Sequence, residues 1–223
     1  MPVQSLFRSK GNQMQIEVVI PVVTGKEAET LLRSIENNTV LPNAVHVIDN
    51  TPDSDFSYRS SVIDVTVYHL SDTGLNFAWN AAKRSLFHKA SICCFFNDDI
   101  EINKYYFENI IECFKDESVK VLCPTVMQEL QHLKGGGLYA MSKRQGCCFA
   151  MTKEHLNNLP FIPTELKTFF GDDWWFFHKD VNWFRDDCNI ITHKVGVGIK
   201  ALDKRKDLRK ERSIFSNLIN NKT

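Results

Sequence analysis

The order of apolar runs over the first hundred residues is the strongest constraint on what this chain can fold into. Residues 16–23, IEVVIPVV, are a short β-branched run that reads as a strand, and Pro21 predicts that it ends or bends there. Residues 24–38 place Ala28, Leu31, Leu32 and Ile35 on one side of a helix. Thr24 is its candidate N-cap, and Glu27 three residues later completes a capping box. Residues 44–48 form a second apolar run, closed by the turn signal Asp49-Asn50-Thr51-Pro52. Residues 62–70 read as a third strand, 76–89 as a second helix, and 91–96 as a fourth strand running into Asn97-Asp98-Asp99. The order strand, helix, strand, strand, helix, strand implies an α/β fold whose mostly parallel, twisted sheet carries helices on both faces. In such sheets ligands bind outside the carboxyl ends of the strands. Asp49 and the Asp98-Asp99 pair both fall there.

The second half is less regular. Residues 105–114 read as a helix and 120–123 as a strand. Residues 128–143, with Gly135-Gly136-Gly137, read as a loop or hairpin. A strand at 146–151, a helix at 153–159, a buried aromatic helix at 172–181 and a late strand at 189–193 follow. At 223 residues and 43% apolar the chain can bury one sizeable core. The reading is a single domain over 15–198, a loose arm at 1–14 and a basic helical tail at 199–223. In that tail Leu202, Leu208, Ile214, Phe215, Leu218 and Ile219 are the candidate packing residues. The 27 Lys/Arg balance 27 Asp/Glu, which excludes a global field that would draw in nucleic acid or an anionic membrane. Residues 200–212 hold seven Lys/Arg and three Asp/Glu, leaving twenty against twenty-four elsewhere. The seven cysteines include neither a CxxC pair nor a zinc-finger spacing, and read as small core residues in a reducing compartment. Neither an apolar leader nor a run of membrane-spanning length occurs. These features point to a cytoplasmic protein, with a peripheral membrane contact left open.

Several places carry residues suited to chemistry. In FFNDDIEI, residues 95–102, two adjacent carboxylates follow a buried strand, where their charge is costly unless a cation neutralises it. A hard divalent ion, Mg²⁺ or Mn²⁺, would do so and would bind phosphate oxygens as well; the ordinary alternative is a solvated turn. In FFGDDWWFF, residues 169–177, Asp172 and Asp173 open an aromatic helix. They suit either helix capping or proton transfer in a cleft wall. His193 ends a late strand and is either a surface histidine or a third metal ligand. The Gly196-Val197-Gly198 stretch lacks the third glycine and helix start of a dinucleotide fingerprint. Asp49 suits a turn or a nucleobase ring N–H. Ser71-Asp72-Thr73-Gly74 suits a turn or a phosphate-facing loop.

The succession VVIPVVTG, VIDN, TGLNFAWNAA, FFNDDIEI, GCCFAMTKEHL, FFGDDWWF and ITHKVGVG, over residues 16–198, resembles the family 2 glycosyltransferases with the GT-A fold. That resemblance implies a Rossmann-like nucleotide-binding half joined to an acceptor-side half. It matches the family's Pro-terminated first strand to Pro21 and its base-contacting carboxylate to Asp49. The segment lining its nucleotide pocket falls on Gly74, Asn76 and Asn80. The DxD-type metal motif falls on Asn97-Asp98-Asp99, with Asn97 a departure that leaves Asp99 as the first ligand and Asp98 as the second, also facing the nucleotide. The family's catalytic-base pair falls on Asp172-Asp173, with Asp173 as base and Asp172 orienting it; Trp175 stands where an acidic residue is usual. His193 matches a late metal or phosphate contact, and Gly146-Cys147 a small-residue strand that approaches the donor sugar.

The implied activity is a metal-dependent, inverting hexosyl or pentosyl transfer from a UDP- or GDP-linked sugar to an acceptor hydroxyl. The acceptor is a glycan, a lipid-linked glycan or a modified nucleic acid, the last two being where the basic tail would act. Two other readings stand beside it. One is a non-catalytic GT-A-like module that binds a nucleotide or glycan, which the Asn97 departure favours. The other is a nucleotidyltransferase, which normally carries a Gly-rich loop with a cation after the first strand; Thr24-Gly25-Lys26 is slight for that.

Overall fold

The structure is a computed structural model. It describes residues 14–51, 56–70, 73–141, 146–178, 181–194 and 205–220, with the side chains of 205 and 206 set aside. Most of the N-terminal arm, Ser71-Asp72, Gly196-Val197-Gly198 and the start of the basic tail lie outside the described residues.

The elements are β1 (Ile16–Val22), α1 (Gly25–Glu36), β2 (Ala44–Asp49), β3 (Val65–His69), α2 (Leu75–Ala81), β4 (Ile92–Phe96), β5 (Ile100–Ile102) and α3 (Tyr106–Cys113) in the first half. The second half holds β6 (Val121–Met127), β7 (Leu138–Ala140), β8 (Cys148–Thr152), α4 (Lys153–Asn158), α5 (Gly171–Phe177), β9 (Trp183–His193) and α6 (Arg205–Asn220). The sheet runs β3-β2-β1-β4-β8-β6-β9-β5, with β7 on β9. Strands β3, β2, β1 and β4 are parallel. Beyond them the sheet is mixed: β8 is antiparallel to both neighbours, β6 and β9 are parallel, and β5 and β7 run antiparallel to β9.

Both faces are covered, as a strand with no polar alternation requires. Along β4, Ile92, Cys94 and Phe96 join one core with Leu31, Leu32 and Ile35 of α1 and Tyr106, Phe107 and Ile110 of α3. Cys93 and Phe95 face the other way, into a core with Trp79 of α2, Leu156 of α4, and Trp174 and Trp175 of α5. Trp79 stacks on Trp175 with centroids 5.7 Å apart, and the edges of both rings meet Phe95. The seven cysteines are free and five are buried; burial pushes the Cys93 thiol up to about 12. No helix of the described residues is long and apolar enough to cross a membrane.

β1 ends at Val22, one residue past Pro21, as the proline predicts. Val22 O accepts from Asn50 N at 3.2 Å, so strand alternation turns Pro21 toward β4. There it lies beyond the last β1–β4 pair, Val19 with Phe95, where no ladder N–H is needed. The capping box is not formed. Thr24 occupies the N-cap without a side-chain bond, and Glu27 instead pairs with Lys194 Nζ at 2.6 Å. The helix expected over 76–89 is α2 followed by a π-helical turn, Ala82–Leu86. α5 closes at Phe177, short of the expected 181; His178 N still makes the helical bond to Trp174 O, and its ring Nδ1 lies 2.8 Å from the same oxygen. β9 begins six residues before the strand expected at 189–193. Its charged stretch Arg185-Asp186-Asp187 hides the pattern, yet Asp186 is fully buried and Asp187 accepts from Gly137 N at 2.6 Å, just before the β7–β9 pairing.

Candidate active site

The carboxyl ends of β1, β2 and β4 lie side by side, and each is followed by polar residues. Thr24 Oγ1 follows β1, Asn50 Nδ2 follows β2, and Asn97 Oδ1 and Asp99 Oδ1 follow β4. All four atoms are sealed from solvent without a hydrogen-bond partner among the described residues. Buried polar atoms are normally satisfied, so four orphans on three adjacent strand ends make this the candidate place for a polar ligand. Other orphans, such as both amide atoms of Asn189, are scattered through the fold.

The two carboxylates after β4 have different employment. Asp98 Oδ2 accepts from Val23 N at 2.7 Å and Thr24 N at 2.9 Å, tying the end of β1 to the end of β4. Burial raises its pKa to about 6 against the lowering effect of those two N–H groups. Asp98 is therefore a backbone clamp before it is a metal ligand. Asp98→Ala would strand two buried N–H groups and should cost about 2–4 kcal/mol in stability, read by thermal unfolding. Asp98→Asn, which keeps an acceptor oxygen, should lose much less, and equal losses would contradict the clamp.

Asp99 faces His193. Its Oδ1 lies 3.2 Å from His193 Nε2, an ion pair by distance that lacks hydrogen-bond alignment, so Oδ1 stays an orphan. Interaction with Asp99 first, and with Cys147 second, raises the His193 pKa to about 10. Asp99 O also accepts from Lys194 N at 3.0 Å, which fixes the two strand ends together. No group of three or more His, Cys, Asp or Glu among the described residues forms a complete metal cage. An ion here would displace the proton that Asp99 keeps on His193, and the pair would then supply one hard oxygen and one imidazole. That suits Mg²⁺ or Mn²⁺, which keep most of their shell for waters and phosphate oxygens.

The second carboxylate pair reaches the same region through β8. A methyl group built on Gly146 would lie 2.2 Å from Asp172 Oδ2. Asp172 thus lies against the backbone at Gly146, beside the Cys147 that meets His193. Asp173 is half-buried in the first turn of α5. The helix enters through Phe170, whose φ of 63° is left-handed, so Asp172 is not the N-cap that a simple capping role would make it.

Asp49 is 1% exposed. Its Oδ1 accepts from Thr51 N at 3.1 Å and its Oδ2 lies 3.2 Å from His69 Nδ1, so a base would have to compete for it. Asn76 and Asn80 hold the backbone of the segment before α5. Asn76 Nδ2 donates to Leu166 O and Phe169 O, both at 2.9 Å. Asn80 exchanges hydrogen bonds with both backbone groups of Ile162. Gly74 has φ 83°, and a Cβ there would sit 2.4 Å from Lys167 O. Gly74→Ala meets backbone strain and an immovable oxygen together and should cost about 3 kcal/mol or more, read by denaturant unfolding; a neutral result would contradict this packing. Thr24 and Asn50 were missed in the sequence, although each sits just past a strand end.

The architecture is a GT-A-like α/β fold. It is shared with GalNAc-T7 solved with UDP, GalNAc and Mn²⁺, at a TM-score of 0.63 and 13% identity over 81% of this chain and 43% of that one. It is shared too with S. aureus TarS 1–349, at 0.59 and 13% over 83% of this chain and 62% of that one. For S. aureus TarS the figures are 0.58 and 16%, over 82% and 37% of the two chains. The chain thus spans less than two thirds of each of these neighbours. No protein-family model and no curated protein sequence matches it.

Proposed function

We propose that this protein transfers a hexosyl or pentosyl group from a UDP- or GDP-linked sugar to an acceptor hydroxyl, with inversion. The carrying observation is the row of orphaned polar atoms at the ends of β1, β2 and β4, with Asp172 brought to the same region through Gly146. The fold's likeness to a protein solved with UDP, GalNAc and Mn²⁺ supports the same reading. Thr24 and Asn50 would bind and orient the nucleotide, with Asp49 as the base contact once it releases Thr51. Asp99 and His193 would hold a divalent ion; when bound, such an ion neutralises charge on a diphosphate leaving group. Asp173 would take the proton of the acceptor hydroxyl, and Asp172, held against Gly146, would orient that hydroxyl for attack at the anomeric carbon. The acceptor is a glycan, a lipid-linked glycan or a hydroxylated base in nucleic acid. For the last two, the exposed Arg209, Lys210 and Arg212 of α6 supply the charge.

The deciding experiment is calorimetry with UDP and with GDP, each with and without Mn²⁺, followed by a screen of the matching nucleotide sugars for hydrolysis or transfer. Nucleotide binding that Mn²⁺ strengthens, with turnover that EDTA abolishes, is the expected result. Turnover that survives thorough chelation would remove the metal role. A complete lack of metal-enhanced nucleotide binding would favour a non-catalytic binding module.

A further inference from the structure

α6 does more than pack. Its Ile214, Phe215, Leu218 and Ile219 lie against the core that contains Trp174 and Trp175, and Phe215 stacks on Phe170 with centroids 5.4 Å apart. Glu211, the second residue of the KERS stretch, is 4% exposed on an otherwise charged and solvated turn. Its Oε2 accepts from Thr168 N at 3.1 Å and Phe169 N at 2.8 Å, and its Oε1 from Thr168 N at 3.2 Å. From the opposite side Asn76 holds Leu166 O, Lys167 O and Phe169 O. Residues 166–169 are gripped between α2 and α6, immediately before the left-handed Phe170 and the first turn of α5. A non-glycine residue in that conformation persists where its surroundings over-determine it, and here the surroundings are the Asn76 grip, the Glu211 grip and the Phe215 ring.

We propose that Glu211 is a positioning residue: by fixing the 168–169 backbone it sets the Phe170 turn and so the aim of Asp172 and Asp173 at the acceptor. The inference rests on the transferase reading above for what the pair does, and on the hydrogen bonds alone for how it is held. The groups proposed above for the nucleotide and the ion, Thr24, Asn50 and Asp99, lie just past the ends of β1, β2 and β4 and outside the 166–169 segment, so the nucleotide side of the site keeps its shape when Glu211 is removed. The effect is therefore confined to turnover.

The test compares the full chain with Glu211→Ala and Glu211→Gln. A misaimed acid–base pair should lower kcat by at least about tenfold in Glu211→Ala, while UDP–Mn²⁺ affinity stays within about twofold. Glutamine places its carbonyl where Oε2 stands and keeps both N–H contacts there, so Glu211→Gln should return to within about threefold of the original kcat. Amide exchange in Glu211→Ala should quicken over residues 166–174 and not in β4. A donor affinity that falls in step with kcat would make Glu211 merely structural and overturn the proposal, as would unchanged kcat or unchanged exchange. If Glu211→Ala does not fold, Glu211→Asp withdraws the carboxylate by one methylene and is read by the same criteria. If the original chain transfers no sugar, the transferase reading fails by itself, and the exchange measurement still decides whether Glu211 sets the 166–174 segment.

Discussion

Asp173→Asn should lower turnover by about a hundredfold or more while leaving the fold and donor binding intact. The substitution keeps the size and the hydrogen-bonding oxygen of the side chain and removes its ability to take a proton. α5 is anchored by its two tryptophans. Trp174 Nε1 donates to Phe161 O at 3.1 Å and Trp175 Nε1 to Pro160 O at 2.9 Å, and Trp175 is fully buried against Trp79. The variant should therefore melt where the original does and bind UDP–Mn²⁺ equally well, so that the whole loss falls on kcat. Asp172→Asn is the paired measurement. Asp172 is packed on Gly146, so its asparagine form should lose less turnover than Asp173→Asn. A near-normal rate for Asp173→Asn would dismiss it as the base, and a larger loss at Asp172 would transfer the role to its neighbour.

What the sequence made legible follows from how local each feature is. The parallel half could be read because β1, β2 and β4 are nearly continuous apolar runs and α1 has a plain apolar stripe. The positions of Asp49 and of Asn97-Asp98-Asp99 at strand ends follow from those runs. The expected partners of these residues were less legible, because partners are tertiary. Nothing near Asp98 in the chain announces that its oxygen will hold Val23 N and Thr24 N, some 75 residues away. The Asn76 and Asn80 pattern was visible, but its use on the backbone of residues 162–169 was not. β9 was truncated in the reading because charge usually marks a surface, whereas Asp186 and Asp187 serve the Gly135–Gly137 turn. Glu211 stood inside a basic, solvated-looking run, and its burial depends on a loop that precedes it by over forty residues.

Asp99→Asn should separate the metal site from the clamp beside it. Asp99 contributes no hydrogen bond through Oδ1, and the bond that extends the β5–β9 pairing uses its backbone oxygen, which the substitution leaves in place. Stability without ligand should fall modestly, since His193 loses the charge that raises its pKa to about 10. Binding should respond far more strongly. Charge stabilisation by a metal ion is worth several kcal/mol, so losing its carboxylate ligand should reduce the Mn²⁺ enhancement of UDP or GDP affinity by about a hundredfold or more. Asp98→Asn, which preserves the acceptor for Val23 and Thr24, should retain most of that enhancement. The two neighbouring substitutions thus predict different patterns in calorimetry, although they remove the same charge one residue apart. Equal Mn²⁺ enhancement in Asp99→Asn and the original chain would exclude Asp99 as a ligand. A loss confined to Asp98→Asn would place the ion on the other side of the β4 terminus, against the end of β1.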